Sequence, residues 1–326
     1  MVRSRPDTTL PDPGSDLLEA VTHLAEEAGI AEGELGAVVA AAILDTYRRF
    51  HEDAAHVSID IDLHSGRQTL RRGDEVLEPL RGDAARQAAQ AVRVAVIERL
   101  REAGVARVLA EAAMLRGQLI DTIVERRAGR TWILRTPDLE VVLPPEEQTT
   151  EELEVGSHLK VVILDGRKRA DGAVLVGSRS HPHLVRLLLE QEVPELGSGQ
   201  VIIRGIAREA GRRSKVAVDT TDEDIDPQGA CIGPRGIRHR AVTAELGAEQ
   251  LQIVRWSDDI ADLVANSLIP ATVLSVHLDE ETRTAAVRVD AGQLSLAIGR
   301  GGENARLAAR LTGWRIDIGA QGGDGA

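Results

Sequence analysis

The chain has 326 residues, 43% of them hydrophobic and 28% charged, a composition typical of a folded protein of about two to four domains. Its single cysteine, Cys231, excludes internal disulfides and cysteine-rich zinc sites and suits a reducing compartment. The longest apolar run spans eight residues, whereas a membrane-spanning helix needs ~20. The net charge of −13 argues against uniform binding to nucleic acid, because phosphate chains attract basic proteins.

Nearly all basic residues are arginine, 36 of 39, and many of them are clustered. Basic patches on an acidic body are typical of a protein that contacts a polyanion at selected places. Solvated surface arginines would explain the same pattern equally well. With five aromatic residues, stacking platforms for single strands are nearly excluded. The clusters are Arg126, Arg127, Arg130 and Arg135; Arg204, Arg208, Arg212, Arg213 and Lys215; and Arg235, Arg238 and Arg240.

The first segments predict a short leader followed by helices. Residues 1–15 contain proline and aspartate where a secretory signal has its apolar core, so we expect a disordered leader and a cytoplasmic protein. Apolar residues at helical spacing over 17–50 predict two helices, separated between Gly29 and Gly33.

A small sheet and a third helix are predicted next. Apolar and polar residues alternate from Val57 to Leu63, and a turn at 64–66 predicts a β-hairpin. The helical period returns at Asp83, the predicted N-cap, and Gly104 is the predicted end of that helix. We therefore expect a mixed, mainly helical N-terminal domain over 16–108.

Five short β segments at about ten-residue spacing follow, within residues 112–182. Short strands without long helices between them predict a small barrel, such as the five-stranded OB fold. A helical stretch at 183–193 then leads into the last part of the chain.

The last 130 residues contain an internal repeat. The segments 231–236 (CIGPRG) and 297–302 (AIGRGG) differ in position by 66 residues, and each lies between two strand-like runs and an amphipathic helix with a closing strand. Two copies of one α/β unit are the economical explanation. We place them at 195–256 and 260–318, and expect the glycine-rich tail 319–326 to be disordered.

The glycine-rich loops of the repeat predict a binding site for a phosphate chain. Glycines at the start of a helix allow close approach to a phosphate, and the helix N-terminus favours the anion. These features are typical of the KH module, whose GxxG loop clamps about four nucleotides of a single strand. Two tight helix-capping turns without a ligand are the alternative interpretation.

The predicted RNA contacts comprise both loops and the neighbouring basic residues. If five of the basic residues each neutralise one phosphate, the logarithm of the RNA affinity should fall with log salt at a slope of roughly −3 to −4. The residues are Ile232, Gly233, Pro234, Arg235, Gly236, Arg238 and Arg240; Ile298, Gly299, Arg300, Gly301, Gly302 and Arg306; Arg208, Arg212, Arg213 and Lys215; and Arg127 and Trp132 in the barrel.

Over about residues 17–318 the sequence resembles the bacterial NusA family of transcription elongation and termination factors. The resemblance rests on VLPPEEQ at 142–148, SRSHP at 178–182, AREAGRRSKVAV at 207–218, DPQGACIGPRG at 226–236 and QLSLAIGRGGENARLAARLTGW at 293–314. It implies a multidomain α+β protein with a helical N-terminal domain that binds RNA polymerase, an OB barrel and two tandem KH domains. It also implies that the barrel and the KH pair hold nascent RNA and modulate pausing, termination and antitermination.

The partners that the resemblance implies are RNA polymerase, single-stranded nascent RNA and other antitermination factors. We expect the chain to be a monomer and to bind no membrane. Tyr47, Arg48, Arg49 and Phe50 are the predicted polymerase contacts, although Tyr47 and Phe50 are equally well explained as core residues. Residues 73–82 are a short connection where family members carry a longer acidic insertion.

An enzymatic function has little support in the sequence. The nine histidines form no HExxH pair, and no P-loop or GxSxG string occurs. We therefore expect no catalytic residue, cofactor or metal. The remaining alternative is a KH and OB accessory protein of ribosome assembly or RNA decay, which the binding partner of the N-terminal domain would distinguish.

Overall fold

The computed structural model describes residues 22–51, 54–63 and 65–321. The chain divides into two compact units, residues 1–111 with 167–174 and residues 112–166 with 175–326. The predicted leader and residues 322–326 of the predicted tail lie outside the described residues. Among the described residues, no helix combines the length and apolarity needed to cross a bilayer.

The first unit contains two main helices and a small antiparallel sheet. Residues 22–27 are helical and a turn at 28–29 ends them, which confirms the predicted break. The sheet has the order β1-β2-β3, of which the third short strand was not predicted. The elements are α1 (Glu32–Phe50), β1 (Val57–Ile61), β2 (Gln68–Arg72), β3 (Glu75–Val76) and α2 (Gly82–Leu115).

The prediction that α2 ends at Gly104 is wrong, because the helix continues to Leu115. A single glycine inside a helix costs only about 1 kcal/mol. Burial of Ala103, Val105 and Ala112 on either side of it outweighs that cost. The helix also begins at Gly82, so that Asp83 lies in its first turn rather than at the cap.

Five strands form a closed barrel with the order β4-β5-β6-β8-β7, and most of their residues belong to the second unit. All neighbouring pairs with recorded register are antiparallel except β6 and β8, which run parallel. Its interior consists of fully buried aliphatic side chains such as Leu134, Val161 and Leu175. The strands are β4 (Leu119–Ala128), β5 (Thr131–Arg135), β6 (Glu140–Leu143), β7 (His158–Arg169) and β8 (Gly172–Ser178).

The remainder of the second unit contains the repeated α/β unit. Each copy has a three-stranded sheet whose middle strand is antiparallel to one neighbour and parallel to the other. The first copy comprises α3 (His183–Glu192), α4 (Pro194–Gly197), β9 (Val201–Glu209), β10 (Arg213–Thr220), α5 (Pro227–Ile232), α6 (Ile237–Glu245) and β11 (Gln250–Arg255). The second comprises α7 (Ile260–Ser267), β12 (Val273–Asp279), β13 (Thr284–Val289), α8 (Leu294–Ile298), α9 (Glu303–Thr312) and β14 (Arg315–Ala320).

The two copies pack directly against each other. Leu307 and Leu311 of α9 lie in one apolar cluster with Ala207, Ala217 and Val254 of the first copy's sheet. The outer face of the first sheet is therefore covered by the helix that follows the second copy's glycine loop. The last strand, β14, continues to Ala320, two residues into the predicted tail, because β13 supplies backbone partners up to Val289.

Candidate nucleic-acid interface

The two glycine loops have nearly the same backbone conformation. Gly233 and Gly299 have φ/ψ of 73°/169° and 75°/170°. Arg235 and Gly301, the third residues of the loops, both have positive φ, 54° and 59°. The last glycines, Gly236 and Gly302, are left-handed with φ of 72° and 73° and lead into α6 and α9. The predicted repeat is thus a repeat of backbone geometry, since most side chains rarely adopt these angles.

The first and last glycines of each loop serve different purposes. A Cβ on Gly299 would lie 2.8 Å from the backbone nitrogen of Asn304, and one on Gly233 would lie 2.6 Å from Cγ of Arg238. The first glycine is therefore required by packing inside the unit. A Cβ on Gly302 would meet nothing closer than 4.0 Å, and one on Gly236 would meet only the flexible end of Arg240, at 3.2 Å from Nη1. The last glycine therefore leaves an approach at the start of the helix that no backbone atom blocks.

One arginine of the following helix supports each loop from behind. Arg240 donates to the carbonyl oxygen of Arg235 at 2.6 Å, and Arg306 donates to that of Gly301 at 3.1 Å. Beside the loops, Ile232 and Ile298 are 41% and 37% exposed. Each loop thus combines an open glycine, an exposed apolar side chain and a helix N-terminus, which together suit a sugar-phosphate chain.

Much of the predicted basic surface is neutralised by acidic residues distant in sequence. The ion pairs are Arg204 with Asp219, Arg208 with Glu249, Arg212 and Arg213 with Glu303, Arg238 with Glu195, and Arg306 with Glu209. Among the described residues, Arg235, Arg240 and Arg300 are exposed and make no ion pair. These three arginines remain the basic groups best placed to reach phosphates near the loops.

Two residues of the predicted contact set are unsuited to it because they are buried. The Arg208 side chain is 2% exposed, and its guanidinium binds Glu249, which is itself 1% exposed. Lys215 is fully buried, with its ammonium group 2.6 Å from Oε1 of Gln252 and 3.3 Å from the carbonyl oxygen of Ile269. Both side chains lie in the interior of the second unit, and this burial contradicts the prediction that they bind RNA.

Burial of Lys215, with a smaller contribution from Arg213, lowers its pKa to about 7. The unfolded chain keeps this lysine protonated up to its ordinary pKa of 10.5, so between these values the unfolded state binds more protons. We therefore expect the free energy of unfolding to rise from pH 7 to about pH 9, by at most about 1.4 kcal/mol per pH unit. Above that range the buried thiol of Cys231 opposes the rise, because burial raises its pKa from 9.0 to about 12. Urea unfolding across this range should show the rise in the parent and lose it in Lys215→Met. The matched change Lys168→Met, at an exposed lysine, should leave the profile unchanged, and an unaltered profile in Lys215→Met would contradict the assignment.

In the barrel, the structure brings Arg127 and Trp132 together. The Arg127 guanidinium lies 5.5 Å from the centroid of the half-buried Trp132 ring, a cation–π contact between cross-strand neighbours. Arg126 and Arg135 approach Glu140 and Glu125. The stacked pair remains the proposed contact of the barrel, with the ring face partly covered by the arginine.

The predicted polymerase contacts separate into core and surface. Tyr47 is 5% exposed and packs with Ala54, Val57 and Leu70. Of its two interpretations, polymerase contact and core residue, the structure therefore supports the core residue. Phe50 is 44% exposed and Arg48 is exposed, whereas Arg49 pairs with Asp45 one turn earlier. Arg48 and Phe50 therefore remain available to a partner.

Sequence reasoning missed the residues that organise these sites. No sequence pattern indicated the acidic partners, because each lies between 41 and 101 residues from its arginines and only folding brings them together; they are Glu195, Glu209, Glu249 and Glu303. Ile237, which is 60% exposed at the start of α6, could have been found as an apolar residue directly after the first loop.

This fold and these loops define an RNA-binding protein with two tandem KH domains, and sequence comparison agrees. Residues 179–256 match the NusA-like first KH domain and residues 260–324 the NusA-like second KH domain. The transcription termination/antitermination protein NusA of Bacillus subtilis is 37% identical over 93% of this chain and 90% of its own length. That of Mycobacterium bovis is 38% identical over 92% of each chain, and that of Thermus thermophilus is 43% identical over 75% of this chain and 64% of its own. The chain belongs to the NusA family of transcription termination/antitermination proteins.

Proposed function

We propose that this chain binds RNA polymerase through its first unit and holds nascent single-stranded RNA on its second, thereby modulating pausing, termination and antitermination. The observation that carries the proposal is the pair of glycine loops with matching geometry, each open at its last glycine. The proposed protein is a cytoplasmic, monomeric binding factor without catalytic activity or cofactor, which other antitermination factors join.

The barrel supports an extension of the same proposal. Its strand order, 1-2-3-5-4 in barrel numbering, with strands 3 and 5 parallel, favours an OB fold. Such barrels commonly bind oligonucleotides on one face. We place the nascent strand on this barrel, near Arg127 and Trp132, as well as on the two KH loops.

The salt dependence of RNA binding tests the phosphate contacts. Among the described residues near the loops, Arg235, Arg240 and Arg300 make no ion pair, whereas the other arginines predicted there pair with carboxylates. At about −0.7 per contact, these three arginines together with Arg127 of the barrel should give a slope of log affinity against log salt of roughly −3, at the shallow end of the range that the sequence alone predicts. Fluorescence anisotropy with a single-stranded RNA between 50 and 300 mM salt measures it, and a slope near zero would exclude these contacts.

The polymerase contact is tested on the exposed end of α1. Arg48→Glu combined with Phe50→Ser should weaken binding to RNA polymerase about tenfold, because exposed arginines and aromatics supply much of the energy of an interface. The affinity for RNA should not change. Arg67→Glu, the same charge change at another exposed position of this unit, is the control in the same pull-down titration.

The outcome also separates the two candidate functions. Unchanged polymerase binding in the double variant would move the contact elsewhere on the unit. Binding of the parent to the small ribosomal subunit in place of polymerase would favour the ribosome-assembly alternative.

A further inference from the structure

A reciprocal set of ion pairs connects the two KH domains directly behind the second glycine loop. Glu209, at the end of β9, receives bonds from Arg306 at 2.6 and 2.9 Å, and Arg310 lies 3.6 Å away. In the opposite direction, the carboxylate of Glu303, at the start of α9, forms ion pairs with two arginines of the first domain. Its Oε1 lies 3.1 Å from Nε of Arg212, and its Oε2 lies 3.6 Å from Nε of Arg213. Each domain thus contributes a carboxylate and two arginines to the same junction.

Arg306 connects this junction to the loop itself. While two of its nitrogens bind Glu209, its third, Nη1, donates to the carbonyl oxygen of Gly301 inside the loop. The equivalent arginine of the first domain, Arg240, makes the loop contact alone, with no acidic partner among the described residues. The second loop is therefore tied to the first domain through one side chain, whereas the first loop is supported only from within its own domain.

The carboxylate at the centre is largely enclosed. The Glu209 side chain is 14% exposed, and the hydrogen bond from Arg306 holds its pKa below the ordinary value. A phosphate that reached Arg306 would have to displace this bidentate carboxylate, so Arg306 is poorly suited to the RNA contact that the sequence suggests.

We infer that Glu209 and Arg306 are positioning residues, which hold the second glycine loop at a fixed place relative to the first so that one RNA strand can occupy both. The inference rests on the proposed RNA-binding function. When two sites are held at a fixed spacing, the second binding event becomes intramolecular and gains from a high effective concentration. A loosened junction lowers that concentration without altering either loop.

Two random-sequence single-stranded RNAs test the inference on the full chain: a dodecamer that can span both loops and a tetramer that fits one. Glu209→Gln should lower the affinity for the dodecamer about tenfold and leave that for the tetramer within about twofold. Arg306→Gln should lower the affinity for the dodecamer at least as much, because it also removes the hydrogen bond to Gly301 inside the loop. The double variant should be no worse than Arg306→Gln alone, because the ion pair acts as one unit. Circular dichroism confirms that the variants remain folded.

Asp219→Asn is the matched control, because it removes the same charge from another ion pair of the same sheet, with Arg204, away from the junction. Glu209→Gln and Asp219→Asn each remove one negative charge, and this change in charge would by itself leave the RNA affinity equal to the parent's or raise it. Dodecamer binding by Glu209→Gln equal to or tighter than the parent's would overturn the inference, and so would an equal loss for both RNAs. Failure of the parent to bind either RNA would instead remove the proposed function on which the inference rests.

Discussion

Replacing the last glycine of both loops, by Gly236→Asp together with Gly302→Asp, is expected to lower RNA affinity about 100-fold. Both positions lie at the mouth of a helix, where an added Cβ would approach only the end of an arginine side chain, at 3.2 Å for Gly236 and 4.0 Å for Gly302. A carboxylate there would stand where the phosphate has to approach. Losing both loops also removes the gain from bivalent binding, which is of order 100-fold or more. Filter binding of a dodecamer RNA measures the effect.

The uncharged pair Gly236→Asn with Gly302→Asn is the matched control. Asparagine has the same shape as aspartate and tolerates the left-handed backbone well, so the fold is strained to a similar, small extent. We expect this variant to lose much less affinity than the aspartate variant. If the aspartate variant, still folded by circular dichroism, binds RNA as the parent does, the loops are structural turns.

Arg208→Ala is expected to destabilise the second unit by about 3–5 kcal/mol, because it leaves the buried Glu249 carboxylate without its cation. Glu249 would keep only the backbone N–H of Gly211 and the hydroxyl of Ser214 as donors. For a unit of this size the melting temperature should fall by roughly 10 °C. Calorimetry of the full chain measures that shift.

A surface arginine from the same sequence cluster provides the comparison. Arg212 pairs with Glu303 while its side chain stays 58% exposed, so Arg212→Ala should cost less than about 1 kcal/mol. RNA affinity of Arg208→Ala, measured well below its melting temperature, should stay within twofold of the parent. Lost RNA affinity with an unchanged melting temperature would restore Arg208 to the RNA-binding surface.

Local features of the fold followed directly from the sequence. Period-two alternation predicts the first strand, β1, and the structure confirms it because half-buried strands impose that period. Short apolar segments at about ten-residue spacing predict the barrel strands, and the strand-like runs around the two glycine loops predict the strands of the KH domains; the structure confirms both sets. Helix ends follow less directly from the sequence. Gly104 predicts the end of α2, but burial on both sides of it outweighs the weak local preference of one glycine.

The candidate RNA-binding site also combines features that the sequence predicts with features that only folding produces. The sequence by itself determined the two loops, since only glycine readily takes the positive φ that Gly236 and Gly302 require, and a matching repeat at 66 residues exposes them. Only the tertiary structure decided which arginines remain free. Charge clusters are read along the chain, whereas ion pairs form in space, so Glu249 and Glu209 neutralise Arg208 and Arg306 from positions 41 and 97 residues away.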